Sequence, residues 1–381
     1  MIIQLKGVGE TNKGAYLMFL SIIEYFKEFH SEKEITFVTH LGHKFSKKLA
    51  QKYNIKPLVK TKRKGVEFRF FIKLIPFSIR KKINLYIDDD LDVLLDASGF
   101  LYGDQWPVRS IKGTLSNDIK RLSSNGTKII LMPQAFGPFK NDKIKKEVKR
   151  IVDNANLIFA RDIISFQFLK DSYGKRENIF LAPDFTNILR PSSDNFNVDK
   201  TTRILIIPNI KLLEQTNISK ESLINLFKEL IEEIKIKNYN AAFLIHEGIK
   251  DERLAIDINN VLSEPIPVIL EPDALNQKRI IGNSYAVITG RFHGLVSALS
   301  QGIPSIGLSW SHKYEMLLDN YGQHKFLLDF NNNNVKFLID SILDEENNRK
   351  LSIEISEKAR KEKEKTYQMW LKVNNLIFGN D

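Results

Sequence analysis

Short runs of apolar, β-branched residues alternate along the chain with segments whose apolar positions recur every three or four residues, a pattern that predicts βα repetition. In the first half, strands are expected at residues 2–6, 35–39, 93–96, 128–132 and 157–160. Helical patterns lie between most of them, best formed at 16–29, 111–123, 144–154 and 163–173. Strands this uniformly apolar belong in a parallel sheet covered on both faces. Residues 190–202, which include Pro191-Ser-Ser-Asp-Asn-Phe-Asn, lose the periodicity and read as a linker. Strands restart at 203–208, 241–246, 267–270, 285–289 and 305–308, separated by helices such as 219–237, 251–262 and 275–281. From residue 347 the pattern is one long charged helix, more apolar after Tyr367. The expected fold class is α/β, with two Rossmann-like domains facing a cleft, residues 1–190 and 203–346, and a helical tail, 347–381, returning to the first domain.

The length of 381 residues agrees with two cores rather than one. Cysteine is absent, which excludes disulfides and thiolate metal sites and fits a reducing cytoplasm. The first residues have a strand pattern rather than that of a signal peptide, and no run of about 18 apolar residues occurs, so a cytoplasmic protein is expected. Of the formal charge of +11, much is lysine scattered over helix faces, which reads as solvated surface. The stretch 60–82 is different. It carries Lys60, Lys62, Arg63, Lys64, Arg69, Lys73, Arg80, Lys81 and Lys82 against one acid, Glu67, interleaved with Phe68, Phe70, Phe71, Leu74 and Phe77. Two readings stand: a surface that meets an anionic membrane, at the inner face of the plasma membrane, or a buried helix with charged ends. No zinc-finger spacing, RNP motif or recognition helix accompanies the charge, so no nucleic-acid partner is expected.

The chemistry concentrates in Gly290-Arg291-Phe292-His293-Gly294, followed by Gly302-Ile-Pro304 and by Trp310-Ser-His312-Lys313. The first group sits at an expected strand-to-helix junction and the last ends the next strand. In parallel sheets ligands gather at the carboxyl ends of strands, so Arg291, His293, His312 and Lys313 form an anion site containing a titratable imidazole. In the first half, Gly7-Val-Gly9-Glu-Thr-Asn12-Lys-Gly14 occupies the place of a phosphate-binding turn, but Asn12 stands where a dinucleotide fingerprint needs its third glycine. Asp96-Ala-Ser98-Gly99 and Pro133-Gln134-Ala-Phe-Gly137-Pro138 end two further strands, with Gln134 expected to face the cleft. Ala160-Arg161-Asp162, with Ser165, ends another. Asp162 as a helix N-cap beside an incidental Arg161 is one reading; the other has Arg161 reaching an anion through its two-pronged fork. Ala182-Pro183-Asp184 adds a carboxylate near the domain junction.

Taken together, in order and spacing, these motifs resemble the polysaccharide pyruvyl transferase family over nearly the whole chain, the Arg291-x-His293 element with Lys313 above all. The resemblance implies a GT-B-like fold and transfer of a pyruvyl group from phosphoenolpyruvate to a sugar. The product would be a ketal on a capsule, exopolysaccharide or other cell-surface polysaccharide, or on its lipid-linked precursor, with release of phosphate. It further implies catalysis by His293, Arg161 and Arg291, and a donor site of Arg161, Arg291, His293, Gly294, His312 and Lys313. The first domain would take the acceptor, at Asn12, Gly14, Ser98 and Gln134. No metal and no cofactor is expected. Two positions depart from the family pattern: Ala15, where many members carry an acid, and Ser98-Gly99, where many carry Gly-Gly. Both bear on the acceptor. A nucleotide-sugar glycosyltransferase is the first rival reading, set back by the lack of a recognisable acidic pair to grip a ribose; a non-catalytic sugar-binding homologue is the second.

Overall fold

A computed structural model describes residues 1–63, 66–191, 203–328, 330 and 334–379. Most of the expected linker, residues 192–202, and Lys64 of the basic stretch lie outside the described residues. The chain divides into two compact units, Met1–Phe185 with Tyr367–Asp381, and Thr186–Thr366.

The first unit is built on seven parallel strands. They are β1 (Ile2–Lys6), β2 (Thr36–Thr39), β3 (Lys56–Pro57), β6 (Val93–Asp96), β7 (Lys128–Gln134), β8 (Leu157–Ala160) and β9 (Ile179–Leu181), in the spatial order β3-β2-β1-β6-β7-β8-β9. A separate antiparallel pair, β4 (Lys62–Arg63) and β5 (Val66–Glu67), interrupts the series. The second unit has six parallel strands, β10 (Arg203–Ile207), β11 (Asn240–Ile245), β12 (Val268–Leu270), β13 (Ala286–Thr289), β14 (Ser305–Leu308) and β15 (Leu327–Leu328), ordered β12-β11-β10-β13-β14-β15. Both orders run outward from a first strand and then reverse, which opens a crevice at the carboxyl ends of the central pair. That pair is β1 and β6 in the first unit, β10 and β13 in the second.

The central strands are buried throughout, as their apolar runs require: Ile3, Leu5, Leu94 and Leu95 in the first unit, Leu205, Ile206, Val287 and Ile288 in the second. Helices cover both faces. The expected helix at 111–123 is divided into Val108–Ile111, a π turn at Lys112–Ser116 and Ile119–Ser124. The edge strands β3, β9 and β15 are too short to have a periodicity of their own.

The expected tail also divides. The helix Glu345–Phe378 places Leu351, Ile355 and Ala359 in the core of the second unit, because these residues recur at helical spacing on one face. From Tyr367 onward it belongs to the first unit. There the buried Trp370 ring stacks on Tyr25, centroids 4.0 Å apart, Asn374 donates to the Tyr25 hydroxyl at 2.8 Å, and Lys128 Nζ donates to the Leu376 carbonyl at 2.7 Å.

Candidate active site

In the second unit the expected cluster lies at the reversal point of the sheet. Buried β13 ends at Thr289, and the chain turns sharply at Gly290, where a Cβ would stand 3.0 Å from the Asn209 Cβ. The Gly290 carbonyl accepts from Asn209 Nδ2 at 2.5 Å and from the Tyr314 hydroxyl at 2.8 Å. Arg291 takes the N-cap position of the helix Phe292–Leu299, and its N–H donates to Thr289 Oγ1 at 3.0 Å. His293 therefore sits in the first helical turn, half-buried, one turn earlier than a helix from Leu295 would begin. Gly294 is buried behind it, close against Thr289 Oγ1.

The Arg291 guanidinium is not an open clamp. Its Nε and Nη2 reach Asp251 Oδ2 at 2.9 and 2.5 Å, and its Nη1 pairs with the Glu247 carboxylate. Asp251 is wholly buried in the helix Gly248–Asn259, and its other oxygen accepts from the Ile210 N–H at 3.1 Å. Burial drives both partners towards their neutral forms, the Asp251 carboxyl up to about 7 and the Arg291 guanidinium down to about 10. Their mutual attraction opposes both shifts and favours the ion pair. Glu247 and Asp251, neither singled out in the sequence, thus hold Arg291. Two acids four positions apart, directly after the strand end at His246, were the available signal.

Lys313 is buried in the helix His312–Asn320, its ammonium over the Trp310 ring at 4.1 Å and near the Phe292 and Tyr314 rings at 5.4 and 5.5 Å. This aromatic cage joins the ends of β13 and β14 and stabilises the cation through the ring faces. His312, half-buried, opens that helix. Arg291 and His293 thus follow β13, and His312 and Lys313 follow β14, its neighbour in the sheet.

The first-unit residues separate into anchors and a polar cluster. Arg161 is buried and its Nη1 pairs with Asp184 Oδ2 at 3.0 Å. Asp162 is the N-cap of the helix Ile163–Tyr173, accepting from the Ser165 N–H at 2.7 Å and from its hydroxyl at 3.0 Å. Asn12 is an exposed N-cap that accepts from the Ala15 N–H at 2.9 Å, and Gly14 is buried within the helix Lys13–Phe29. At the reversal point of this sheet Lys6 and Asp96 are register partners on β1 and β6. Burial holds the Lys6 ammonium below its ordinary range against the pull of Asp96. The buried Asp96 carboxylate accepts from the Ser98 N–H at 3.0 Å, the Ser98 hydroxyl at 2.5 Å and the Tyr102 hydroxyl. Gln134, also buried, donates weakly to the Asp96 carbonyl at 3.4 Å, while its Oε1 has no hydrogen-bond partner. Ser98 and Gln134 thus share a cluster with Lys6 and Tyr102, which the motifs alone did not single out. Among the described residues no group of three or more His, Asp or Glu side chains is placed to hold a metal ion.

A family model described as polysaccharide pyruvyl transferase matches residues 12–312. No curated protein matches the sequence. Among solved structures, a chain described as a UDP-N-acetylglucosamine 2-epimerase from Listeria monocytogenes is similar at a TM-score of 0.65 and 13% identity, covering 100% of this chain and 97% of that one. MnaA from S. aureus, solved with UDP, gives 0.62 at 14% identity over 100% and 97%. A glycosyltransferase from Rickettsia africae gives 0.59 at 14% over 100% and 99%. At such identities the likeness establishes the fold, which is GT-B.

Proposed function

Because the chain belongs to the polysaccharide pyruvyl transferase family, we propose that it transfers the pyruvyl group of phosphoenolpyruvate to two hydroxyls of one sugar, forming a ketal and releasing phosphate. What supports the reading is that Arg291 and His293 follow β13 while His312 and Lys313 follow the neighbouring β14, at the carboxyl ends of both strands. The positive end of the helix dipole and the caged ammonium suit the carboxylate and phosphate of the donor.

In the proposed mechanism His293 delivers a proton to the methylene carbon of the donor, making C2 electrophilic. A sugar hydroxyl adds to C2 and its proton returns to His293; the phosphate group leaves with the C2–O bond pair; the second hydroxyl adds at C2 and its proton passes to the released phosphate. The sum is one diol and one phosphoenolpyruvate giving one cyclic ketal and one phosphate. Arg291 acts as a positioning residue, its charge balanced by Glu247 and Asp251 while it fixes the turn that carries His293. Within the first unit Arg161 is held by Asp184, and Ser98 and Gln134 are the proposed acceptor contacts. The acceptor is a cell-surface polysaccharide or its lipid-linked precursor, met in the cytoplasm.

Thermal unfolding of the whole chain with phosphoenolpyruvate, UDP-sugars or GDP-sugars tests this, since a ligand that binds only the native state raises its apparent stability. Stabilisation by phosphoenolpyruvate alone is the expected result. The similarity to a UDP-bound structure favours nucleotide-sugar transfer as a second reading, and stabilisation by a nucleotide sugar without any response to phosphoenolpyruvate would replace the first with it.

A further inference from the structure

The segment between β5 and the 3₁₀ turn Asp88–Asp90 turns Arg69, Lys73 and Arg80 to carboxylates of that turn and leaves large apolar groups outward. Two short helices, Arg69–Lys73 and Phe77–Lys82, make up most of it. Arg80 is buried and grips Asp90 with both terminal nitrogens, Nη2 to Oδ1 at 2.8 Å, while its Nε donates to the Ile75 carbonyl at 3.1 Å. Arg69 Nε and Lys73 Nζ lie 3.5 and 2.5 Å from the carboxylate of Asp89. With the cations serving as anchors, Phe70, Phe71, Leu74 and Ile83 remain 70, 64, 67 and 62% exposed, and Phe77 and Ile79 are exposed beside them. The sequence had left open a buried helix with charged ends; the exposure of these side chains removes that reading. Isolated exposed leucines are ordinary, but this many large apolar groups in one short segment mark a contact surface.

We propose that this segment docks the protein on an anionic phospholipid surface, with Phe70, Phe71, Leu74 and Ile79 entering the boundary between headgroups and acyl chains and the lysines meeting lipid phosphates. Charge selects this occupant. Asp89 and Asp90 are engaged inside the anchor; Glu67, the only acid between residues 60 and 82, pairs with Arg69 at 3.3 Å, and Glu34 from outside the segment pairs with Lys81 at 2.8 Å. Lys82 and Lys60 are exposed. A second copy binding through the same patch would bring like charges face to face. The inference stands on the segment itself and does not depend on the reaction proposed above.

Sedimentation of the full-length protein with phosphatidylcholine vesicles, and with vesicles of phosphatidylcholine mixed with phosphatidylglycerol, tests it. Binding is expected on the mixed vesicles only, fading as salt shortens the screening length. Phe70→Ser combined with Phe71→Ser and Leu74→Ser should abolish binding at an unchanged melting temperature. Lys60→Gln and Lys82→Gln should each weaken it about fivefold. No sedimentation with either vesicle, equal sedimentation with both, or self-association of the wild type that the serine variant removes would each overturn the proposal.

Discussion

Arg291 shows how a residue's type can be read from sequence while its partners cannot. Its place after a strand was legible, but Asp251 and Glu247 lie 40 and 44 positions earlier and meet it only through the sheet order that sets β11 beside β10 and β10 beside β13. Breaking one side of a buried ion pair leaves a charge uncompensated. Asp251→Asn is therefore expected to cost about 3 kcal/mol, near the low end of the usual range because Glu247 remains. Urea unfolding measures it, and an unchanged midpoint would mean that the pair does not hold the turn. His293 makes a different claim, on chemistry rather than stability. His293→Gln should melt with the wild type yet lower acceptor-dependent phosphate release from phosphoenolpyruvate by about a hundredfold to ten-thousandfold. A near-normal rate would remove the imidazole from the mechanism.

Among the elements, the turns at the two reversal points were more legible than the helices beside them. Gly7 and Gly290 were visible as glycines ending strands; what each makes room for was not. Gly7 has φ +74°, and a Cβ there would lie 2.4 Å from the Ser98 nitrogen, so the β1 turn and the Asp96-Ala-Ser98 turn can approach only without a side chain. Gly7→Ala should cost on the order of 1–3 kcal/mol from the backbone conformation alone. It should also displace Ser98 from Asp96. Amide hydrogen exchange at Ser98 and Gly99 reads the second effect; unaltered protection with full stability would show that the approach is looser than the geometry states. The helix Phe292–Leu299 has Arg291, a poor capping residue by type, at its N-cap, where the Arg291 N–H donates to the Thr289 hydroxyl.

Over the whole molecule, the repeated reversal of strand order gives both sheets one architecture, and the long C-terminal helix contributes to both cores. Its apolar end was legible as a packing face, but not that the packing surface would be the helix Lys13–Phe29, more than 300 residues away in sequence. Trp370 is fully buried against Tyr25, Phe26 and Phe185. Trp370→Ala should destabilise the protein by about 3–5 kcal/mol, the range for emptying a large aromatic site. Denaturant unfolding with limited proteolysis checks it, and cleavage after residue 367 is expected to become the first cut. A variant as stable and as resistant as the wild type would show that the helix end is not part of the first core.

Local pattern was sufficient for the class of each central strand, the parallel character of both sheets, the family, and the strand ends that carry Arg161, Arg291, His293 and Lys313. The strands and sheet follow from burial periodicity written in neighbouring residues, and the family from the resemblance of motifs spread along the chain. Charge balance and exposure were decided only in three dimensions. Asp184 neutralises Arg161 and Glu247 and Asp251 neutralise Arg291 across intervals that no periodicity encodes. The stretch 60–82 allowed either a membrane-facing surface or a buried helix with charged ends, and its large apolar side chains lie outward where Asp89 and Asp90 hold Arg69, Lys73 and Arg80. Pairing of charges across long sequence separations depends on which strands become neighbours, and that is a property of the folded sheet.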